Sequence, residues 1–125
     1  MASPLGEGIN DIRLTENFAL AEFACRCCGA VRVDPELVQK LQQLRDRIGK
    51  PIAITSGYRC PAHNRAVGGA AQSQHMYGAA ADITVKGMAP ATVADHAEAI
   101  GFGGIGRYST FTHVDVRAGR ARWNG

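Results

Sequence analysis

The residues best suited to metal chemistry lie in the segment SQHMYGAAAD, residues 73–82. His75 precedes Asp82 by seven positions, and Gly78 together with three alanines makes up most of what separates them. Small residues let the backbone pass close beneath a bound ion without steric conflict. An imidazole and a carboxylate could therefore reach one metal ion, although a histidine and an aspartate at this spacing also arise together by chance.

A third ligand is available in FTHVDVR, residues 111–117, which is predicted to be a strand. Alternation along a strand puts Val114 and Val116 on one face, and on the other it puts the four residues Phe111, His113, Asp115 and Arg117. Two histidines and one carboxylate, with a fourth position left for water, are the ligand set of a catalytic zinc site. We therefore predict one catalytic Zn²⁺ held by His75, Asp82 and His113.

The other two histidines have weaker claims to this chemistry. His96 falls within a predicted helix and is expected to be a surface or half-buried residue. His63 lies in a segment rich in turn-forming residues, where it either lines a cleft or has a structural role. Neither is predicted to bind the metal.

The four cysteines are unevenly placed, with three in FACRCCG and Cys60 apart in GYRCP. A disulfide from the first group to Cys60 is the favoured interpretation, and it would form only outside a reducing compartment. Four thiolates could instead form a structural zinc site, which is less favoured because C-x-C-C with one distant partner differs from the usual paired C-x-x-C spacing. A set of free thiols is the third interpretation.

The elements that must position these residues can be predicted from periodicity. A helix begins at Pro35 behind the capping residue Asp34, and its apolar residues recur at three- and four-residue intervals up to Gly49. A second helix begins at Pro90 and ends at Gly101. A short helix is predicted within FALAEFAC, residues 18–25.

Strands are predicted in PIAITSG and AADITV, and FGGIGRYS and FTHVDVR are predicted to pair as a hairpin. CPAHNRAVGGAAQSQ is expected to be a long loop, and RAGRARWNG a short tail. This order predicts an α+β domain in which helices pack on a small, largely antiparallel sheet. We expect residues 1–15 to be a lead-in and residues 16–125 to form a single catalytic domain.

Composition limits the function classes. The 125 residues carry a net charge of +3 without a basic stripe, so no nucleic-acid partner is expected. No apolar stretch approaches the roughly 20 residues that a bilayer requires, so no membrane insertion is expected. No Sec signal is recognised at the N-terminus, and a monomer is expected.

The motifs resemble those of the D-Ala-D-Ala carboxypeptidase family of zinc peptidases, the M15 family. Residues 73–82 match its S-x-H-x-x-G-x-A-x-D signature without a mismatch, and SGYR (56–59) and FTHVD (111–115) resemble its companion motifs. The resemblance covers roughly residues 16–123. It implies the fold that these peptidases share with the signalling domain of hedgehog proteins.

The resemblance also implies roles for individual residues. It identifies His75, Asp82 and His113 as zinc ligands, Arg59 as the group that stabilises the oxyanion, and Ser73 as a substrate contact. Apart from the resemblance, Tyr108 is a further candidate for a hydrogen bond to the substrate. Arg59 could instead form a structural salt bridge, and Ser73 could simply cap a turn.

One position departs from the family pattern. Several branches place the general base three residues before the third ligand, where this chain has Thr110, a residue that cannot accept a proton from water. Asp115 is the candidate to replace it. The same carboxylate could instead orient His113 through the ring nitrogen that the metal does not use.

The function implied is that of a zinc-dependent peptidase acting on peptidoglycan peptides, at an amide bond adjoining D-Ala. We expect the protein to act in the periplasm or cell wall, and a phage or prophage endolysin released by lysis machinery is the expected kind of protein. The alternatives are an L-alanyl-D-glutamate endopeptidase and a zinc-containing binding domain without catalytic activity.

Overall fold

The computed structural model describes residues 12–125. Three α-helices lie within this range: α1 (Pro35–Ile48), α2 (Pro61–Ala66) and α3 (Pro90–Ile100). Two 3₁₀ helices, Leu20–Phe23 and Gln74–Tyr77, accompany them. The strands are β1 (Arg13–Thr15), β2 (Phe18–Ala19), β3 (Ala53–Ser56), β4 (Ala80–Thr84), β5 (Gly104–Arg107), β6 (Thr112–Asp115) and β7 (Ala121–Asn124).

Helix α1 follows the pattern that its sequence predicts. The Asp34 carboxylate accepts a hydrogen bond from the Glu36 amide at 2.8 Å, and Gly49 ends the helix in the left-handed conformation with φ of 75°. The leucines of its inner face, Leu37, Leu41 and Leu44, are completely buried. Burial of each such side chain contributes roughly 1.5–3 kcal/mol, so this face anchors the helix to the sheet.

The main sheet has five strands in the order β3-β4-β6-β5-β7. Every neighbouring pair is antiparallel except β5 and β7, which run parallel. The predicted α+β class and largely antiparallel sheet are therefore confirmed, as is the hairpin of β5 and β6. β1 and β2 form a separate two-stranded antiparallel sheet.

The sheet divides its side chains between a packing face and a chemical face. Ile83, Ile105 and Val114 are fully buried in the core with the leucines of α1 and with Val93 and Ala97 of α3. The alternate positions of β4 and β6 carry Asp82, His113 and Asp115. Side-chain alternation thus separates the polar site from the apolar core, as the sequence predicts.

Three segments differ from their predicted conformations. The expected loop after Cys60 contains helix α2, which Pro61 starts at a position where proline is favoured. The expected tail contains β7, whose backbone pairs with β5 along its full length. Residues 13–15 of the expected lead-in form β1, while residues 1–11 lie outside the described part of the chain.

All four cysteines carry free thiols in the structure, so the expected disulfide to Cys60 is not formed. The Sγ atoms of Cys27 and Cys60 are 3.3 Å apart, whereas the S–S bond of a disulfide is about 2.05 Å long. Among the described helices, none is long and apolar enough to cross a membrane.

Candidate functional site

The register of β4 on β6 brings two of the predicted ligands face to face. Asp82 and His113 are direct partners across the antiparallel pair, so their side chains project from the same face of the sheet. The short 3₁₀ helix before β4 supplies His75. Gly78 ends this helix with φ of 70°, and a Cβ there would lie 2.5 Å from the Arg32 carbonyl oxygen. Glycine is therefore required where the chain turns back from His75 into β4.

The three predicted ligands converge on one point. The distance from His75 Nε2 to Asp82 Oδ1 is 3.2 Å, and the distance from His113 Nδ1 to the same oxygen is 3.0 Å. Their candidate ligand atoms all lie within 4.8 Å of one another, and all three residues are buried. This spacing suits a single ion coordinated by two nitrogens and one oxygen.

The remaining ring nitrogens show which atoms are free for a metal. His75 Nδ1 lies 2.7 Å from the Gly57 carbonyl oxygen, which can only accept, so Nδ1 carries the proton and Nε2 keeps its lone pair. His113 Nε2 lies 2.7 Å from Asp115 Oδ2 and donates to it, which leaves Nδ1 with the lone pair. With both rings neutral, three acceptor atoms face one another without a donor, and a cation satisfies all of them.

The electrostatics of the ligands agree with a cation site. Burial would raise the pKa of Asp82, but hydrogen bonds to His113 and His75 outweigh burial and hold the pKa well below its usual value. Burial would lower the pKa of His113, yet hydrogen bonds to Asp115 and Asp82 raise it. The site therefore attracts positive charge, either a proton on His113 or a metal that displaces it.

Asp115 lies behind His113 and does not line the groove above the ligands. Its side chain is completely buried, and it accepts hydrogen bonds from Arg117 Nη2 at 2.7 Å and Arg117 Nε at 2.9 Å. Burial opposes ionisation, but the bonds from His113 and Arg117 hold the pKa of Asp115 well below its usual range. Gly104 leaves the space that this carboxylate occupies, since a Cβ there would overlap it. Of the two roles that the sequence leaves open, this placement corresponds to orienting His113.

Arg59 forms the salt bridge that is one of the two roles considered for it. Its guanidinium donates from Nη2 to Asp82 Oδ2 at 3.3 Å, and it also lines the groove. Asn64 Oδ1 accepts from Arg59 Nη1 at 3.3 Å, while Asn64 Nδ2 donates to the Ala70 carbonyl oxygen at 2.8 Å. The buried Asn64, which the sequence analysis did not single out, thus anchors Arg59 beside the ligands.

Ser73 caps the helix that carries the first histidine. Its hydroxyl oxygen accepts from the His75 amide at 3.2 Å, and the residue also lines the groove. The capping role is therefore present in the structure, and the hydroxyl proton stays available to a substrate.

The groove above the ligands has a volume of about 520 Å³. Tyr108 lines it, stacked on Phe111 with ring centroids 4.4 Å apart, and its hydroxyl oxygen accepts from Trp123 Nε1 at 2.8 Å. The Arg117 guanidinium lies over the Trp123 ring at 5.1 Å from the centroid. Arg117 shares the predicted chemical face of β6, whereas Trp123 was missed because its strand reads as a tail.

The remaining residues considered from the sequence lie away from the ligands. His96 on α3 is half-buried and accepts from Arg47 Nε at 3.1 Å. His63 on α2 does not line the groove, and Thr110 is exposed in the turn between β5 and β6. Thr110, at the position of the general base in several branches of the family that the sequence resembles, therefore lies outside the groove.

Comparison with known proteins gives matches that agree with this site. A family model described as peptidase M15 matches residues 16–115. The chain is 34% identical over 97 residues to the peptidoglycan L,D-endopeptidase MepK of Escherichia coli, covering 70% of this chain and 53% of that protein. It is 38% identical over 87 residues to the zinc D-Ala-D-Ala carboxypeptidase of Streptomyces albus G, covering 65% of this chain and 34% of that protein.

A third relative, the probable peptidoglycan L,D-endopeptidase MepK of Haemophilus influenzae, is 31% identical over 103 residues, covering 75% of this chain and 55% of that protein. The matches thus span about half the length of the MepK proteins and about a third of the carboxypeptidase.

Proposed function

The chain belongs to the peptidase M15 family, and on this premise we propose that it is a zinc-dependent peptidoglycan peptidase that hydrolyses an amide bond in murein stem or cross-link peptides. One observation carries the proposal. His75, Asp82 and His113 present three acceptor atoms to one point, and the other nitrogen of each ring is already engaged by the protein. Such preorganised ligands beside an open groove are typical of a catalytic metal site.

The proposed mechanism assigns a task to each of these groups. Zinc held by the three ligands would supply Lewis-acid polarisation of the scissile carbonyl and would acidify a water molecule. Gly57 and Asp115 hold the two imidazoles in the required tautomers. Arg59 donates toward the negative charge that develops on the carbonyl oxygen. Tyr108 keeps its own phenolic proton for the substrate, because Trp123 donates to its oxygen.

The charge of the groove favours an anionic peptide. Two guanidinium groups, those of Arg59 and Arg117, line it, and each is paired with a buried carboxylate, that of Asp82 or Asp115, so the charge of a bound zinc ion would make this surface net positive. A peptide with a free terminal carboxylate, such as a stem peptide ending in D-Ala, would be attracted to this surface. Cleavage at a bond adjoining D-Ala is therefore the specificity that we propose.

A second specificity is supported by the relatives. Two of them carry the name L,D-endopeptidase, and the sequence identity to them extends over more of this chain than the identity to the carboxypeptidase. Cleavage of L,D cross-links is thus the first alternative, and the L-alanyl-D-glutamate activity of a sister branch stays a further prediction.

Digestion of purified murein and of defined muropeptides tests both the activity and the bond. We expect product only when zinc is bound, and mass spectrometry identifies the bond. Free D-alanine marks carboxypeptidase action, and monomers from D,D- or L,D-linked dimers mark the two endopeptidase actions. His113→Ala should abolish turnover, whereas the matched change His96→Ala, away from the groove, should leave it intact.

The proposal fails if the folded, zinc-loaded chain releases no product from any of these substrates. Co-sedimentation with murein in that case would favour the binding-domain interpretation. The setting that we propose is the periplasm or cell wall, with peptidoglycan peptides as the partner. The three relatives named above are bacterial proteins, and both phage origin and a monomeric state stay predictions.

A further inference from the structure

We propose that Cys25, Cys27, Cys28 and Cys60, here called the cysteine cluster, form a second metal site that binds a structural Zn²⁺ through four thiolates. The sulfur atoms of all four residues lie within 4.8 Å of one another. This site shares no residue with the histidine site, and the proposal does not depend on peptidase activity.

The sulfur separations fit a tetrahedral zinc ion. Cys25 Sγ lies 3.7 Å from Cys27 Sγ, and Cys27 Sγ lies 3.3 Å from Cys60 Sγ. With Zn–S bonds of about 2.3 Å, neighbouring sulfurs at the corners of a tetrahedron are about 3.8 Å apart. Four sulfurs around one point, rather than two in bonding contact, indicate a metal cage rather than a disulfide.

The backbone around the cluster is shaped to present sulfur. The Cys25 amide donates to the Ala30 carbonyl oxygen at 2.7 Å, and the Gly29 amide donates to the Cys25 carbonyl oxygen at 2.9 Å. These two bonds fold residues 25–30 into a tight loop, in which Gly29 takes a φ of 76°. Cys25 and Cys28 within it have the C-x-x-C spacing of zinc knuckles.

Two backbone amides also point at the sulfurs. The Cys60 amide donates to Cys25 Sγ and the His63 amide donates to Cys60 Sγ, both at 3.4 Å. Donors of this kind stabilise the negative charge of a metal-bound thiolate. Cys27 and Cys28 are exposed, so an ion can reach the cluster from solvent.

Binding of Zn²⁺ by the cysteine cluster requires no oxidant. Each of four thiols gives up its proton to solvent, each sulfur keeps its electron pair and shares it with Zn²⁺, and no sulfur changes oxidation state. A disulfide would instead require an electron acceptor. The cluster can therefore assemble in a reducing compartment, where the expected disulfide could not.

The position of the cluster suggests what the metal does. Zinc there would join the loop at residues 25–28 to Cys60, which follows Arg59 and is the N-cap residue of α2. The neighbouring amide of Tyr58 donates to the Phe23 carbonyl oxygen at 2.8 Å, so the two segments are already in contact. The segment held in this way carries both Arg59 and the Gly57 carbonyl that orients His75. The structural zinc would fix the catalytic groups on one side of the groove.

Metal analysis of the full chain, purified under reducing conditions with zinc present, tests the proposal. We expect two zinc ions per chain, and one in the double variant His75→Ala/His113→Ala. Cys27→Ser/Cys28→Ser should also retain one. In the cobalt-loaded protein, intense near-ultraviolet thiolate-to-cobalt absorption should survive the histidine changes and disappear with the cysteine changes.

Thiol accessibility gives a readout that needs no variant. We expect all four thiols to react slowly with Ellman's reagent until a zinc chelator is added. One zinc per chain with four rapidly reacting thiols would overturn the proposal, as would an intact mass two hydrogens lighter for a cysteine pair. Iron in place of zinc at the cluster would overturn the metal assignment.

Discussion

Replacing Asp115 by asparagine separates the two roles considered for this carboxylate. In the structure it accepts from His113 Nε2 at 2.7 Å and from three nitrogens of Arg117, at 2.7, 2.9 and 3.1 Å. Asparagine has nearly the same size but turns one of the two acceptor oxygens into a donor. With the amide nitrogen at the Oδ2 position, His113 Nε2 and Arg117 Nη2 lose their acceptor. With it at the Oδ1 position, Arg117 N and Nε lose theirs, and in both cases the packing of the sheet is retained.

The magnitude follows from these contacts. Loss of an orienting partner typically weakens a metal site about 10- to 100-fold, which is about 1.4–2.7 kcal/mol of zinc affinity. Loss of charge-assisted bonds to Arg117 should cost up to about 1.5–3 kcal/mol of unfolding free energy, toward the lower value because that side chain is 31% exposed and can return to water. At saturating zinc, kcat should fall less than about tenfold.

The assay measures zinc Kd by competition with a chromophoric chelator, and kcat on a muropeptide at saturating zinc. These variants leave the cysteine cluster unchanged, so zinc bound there contributes equally to each measurement and does not affect the difference in Kd. Asp95→Asn is the matched control, since it makes the same chemical change at an exposed ion pair with Arg107. An unchanged zinc Kd together with a loss in kcat of about 10²–10⁴ would refute the orienting role and identify Asp115 as the general base.

Three further perturbations test other parts of the site. Arg59→Ala should lower kcat/KM by about 10²–10³-fold while the chain keeps its zinc. The matched change at the exposed Arg65, Arg65→Ala, should alter neither kcat/KM nor the zinc content. If Arg59→Ala lost zinc as well as activity, the oxyanion role would be contradicted. Because carboxylates at both ring nitrogens raise the pKa of His113, its protonation stabilises the metal-free protein below about pH 6.5, and this contribution is lost as pH rises through the raised pKa. Because a proton and zinc compete for His113, apparent zinc affinity should fall by up to about tenfold per pH unit below that pKa, and calorimetry in two buffers should detect a released proton. A zinc affinity independent of pH would exclude this competition. Gly57→Ala would place a Cβ 2.7 Å from Phe23 Cα, so we expect the free energy of unfolding, measured by chemical denaturation, to fall by about 1–3 kcal/mol and zinc binding to weaken. No change in either quantity would show that the Gly57 carbonyl, which contacts His75, does not need its present position.

Local sequence patterns were sufficient for the main helix and for the strand that carries His113, but not for the 3₁₀ helix that carries His75. The cap at Asp34, the leucine spacing and Gly49 predict α1, and alternation in residues 111–117 predicts which face of β6 is polar. These features depend on neighbours within a few positions, so the sequence displays them directly. Helix α2 was not predicted because the glycines and alanines around it are typical of a loop. Strand β7 was not predicted because a four-residue strand that pairs in parallel has little periodicity in its sequence.

The sequence by itself determined the kinds of ligand available and their separation along the chain, together with the fold class. Only the tertiary structure decided which ring nitrogen of His113 faces Asp82, because that depends on Asp115 being fixed behind the ring by Arg117. It also decided that Cys60, 35 positions beyond Cys25, meets the other cysteines. Both outcomes depend on strand register and on packing between distant segments, and spacing along the chain does not encode a distance in space.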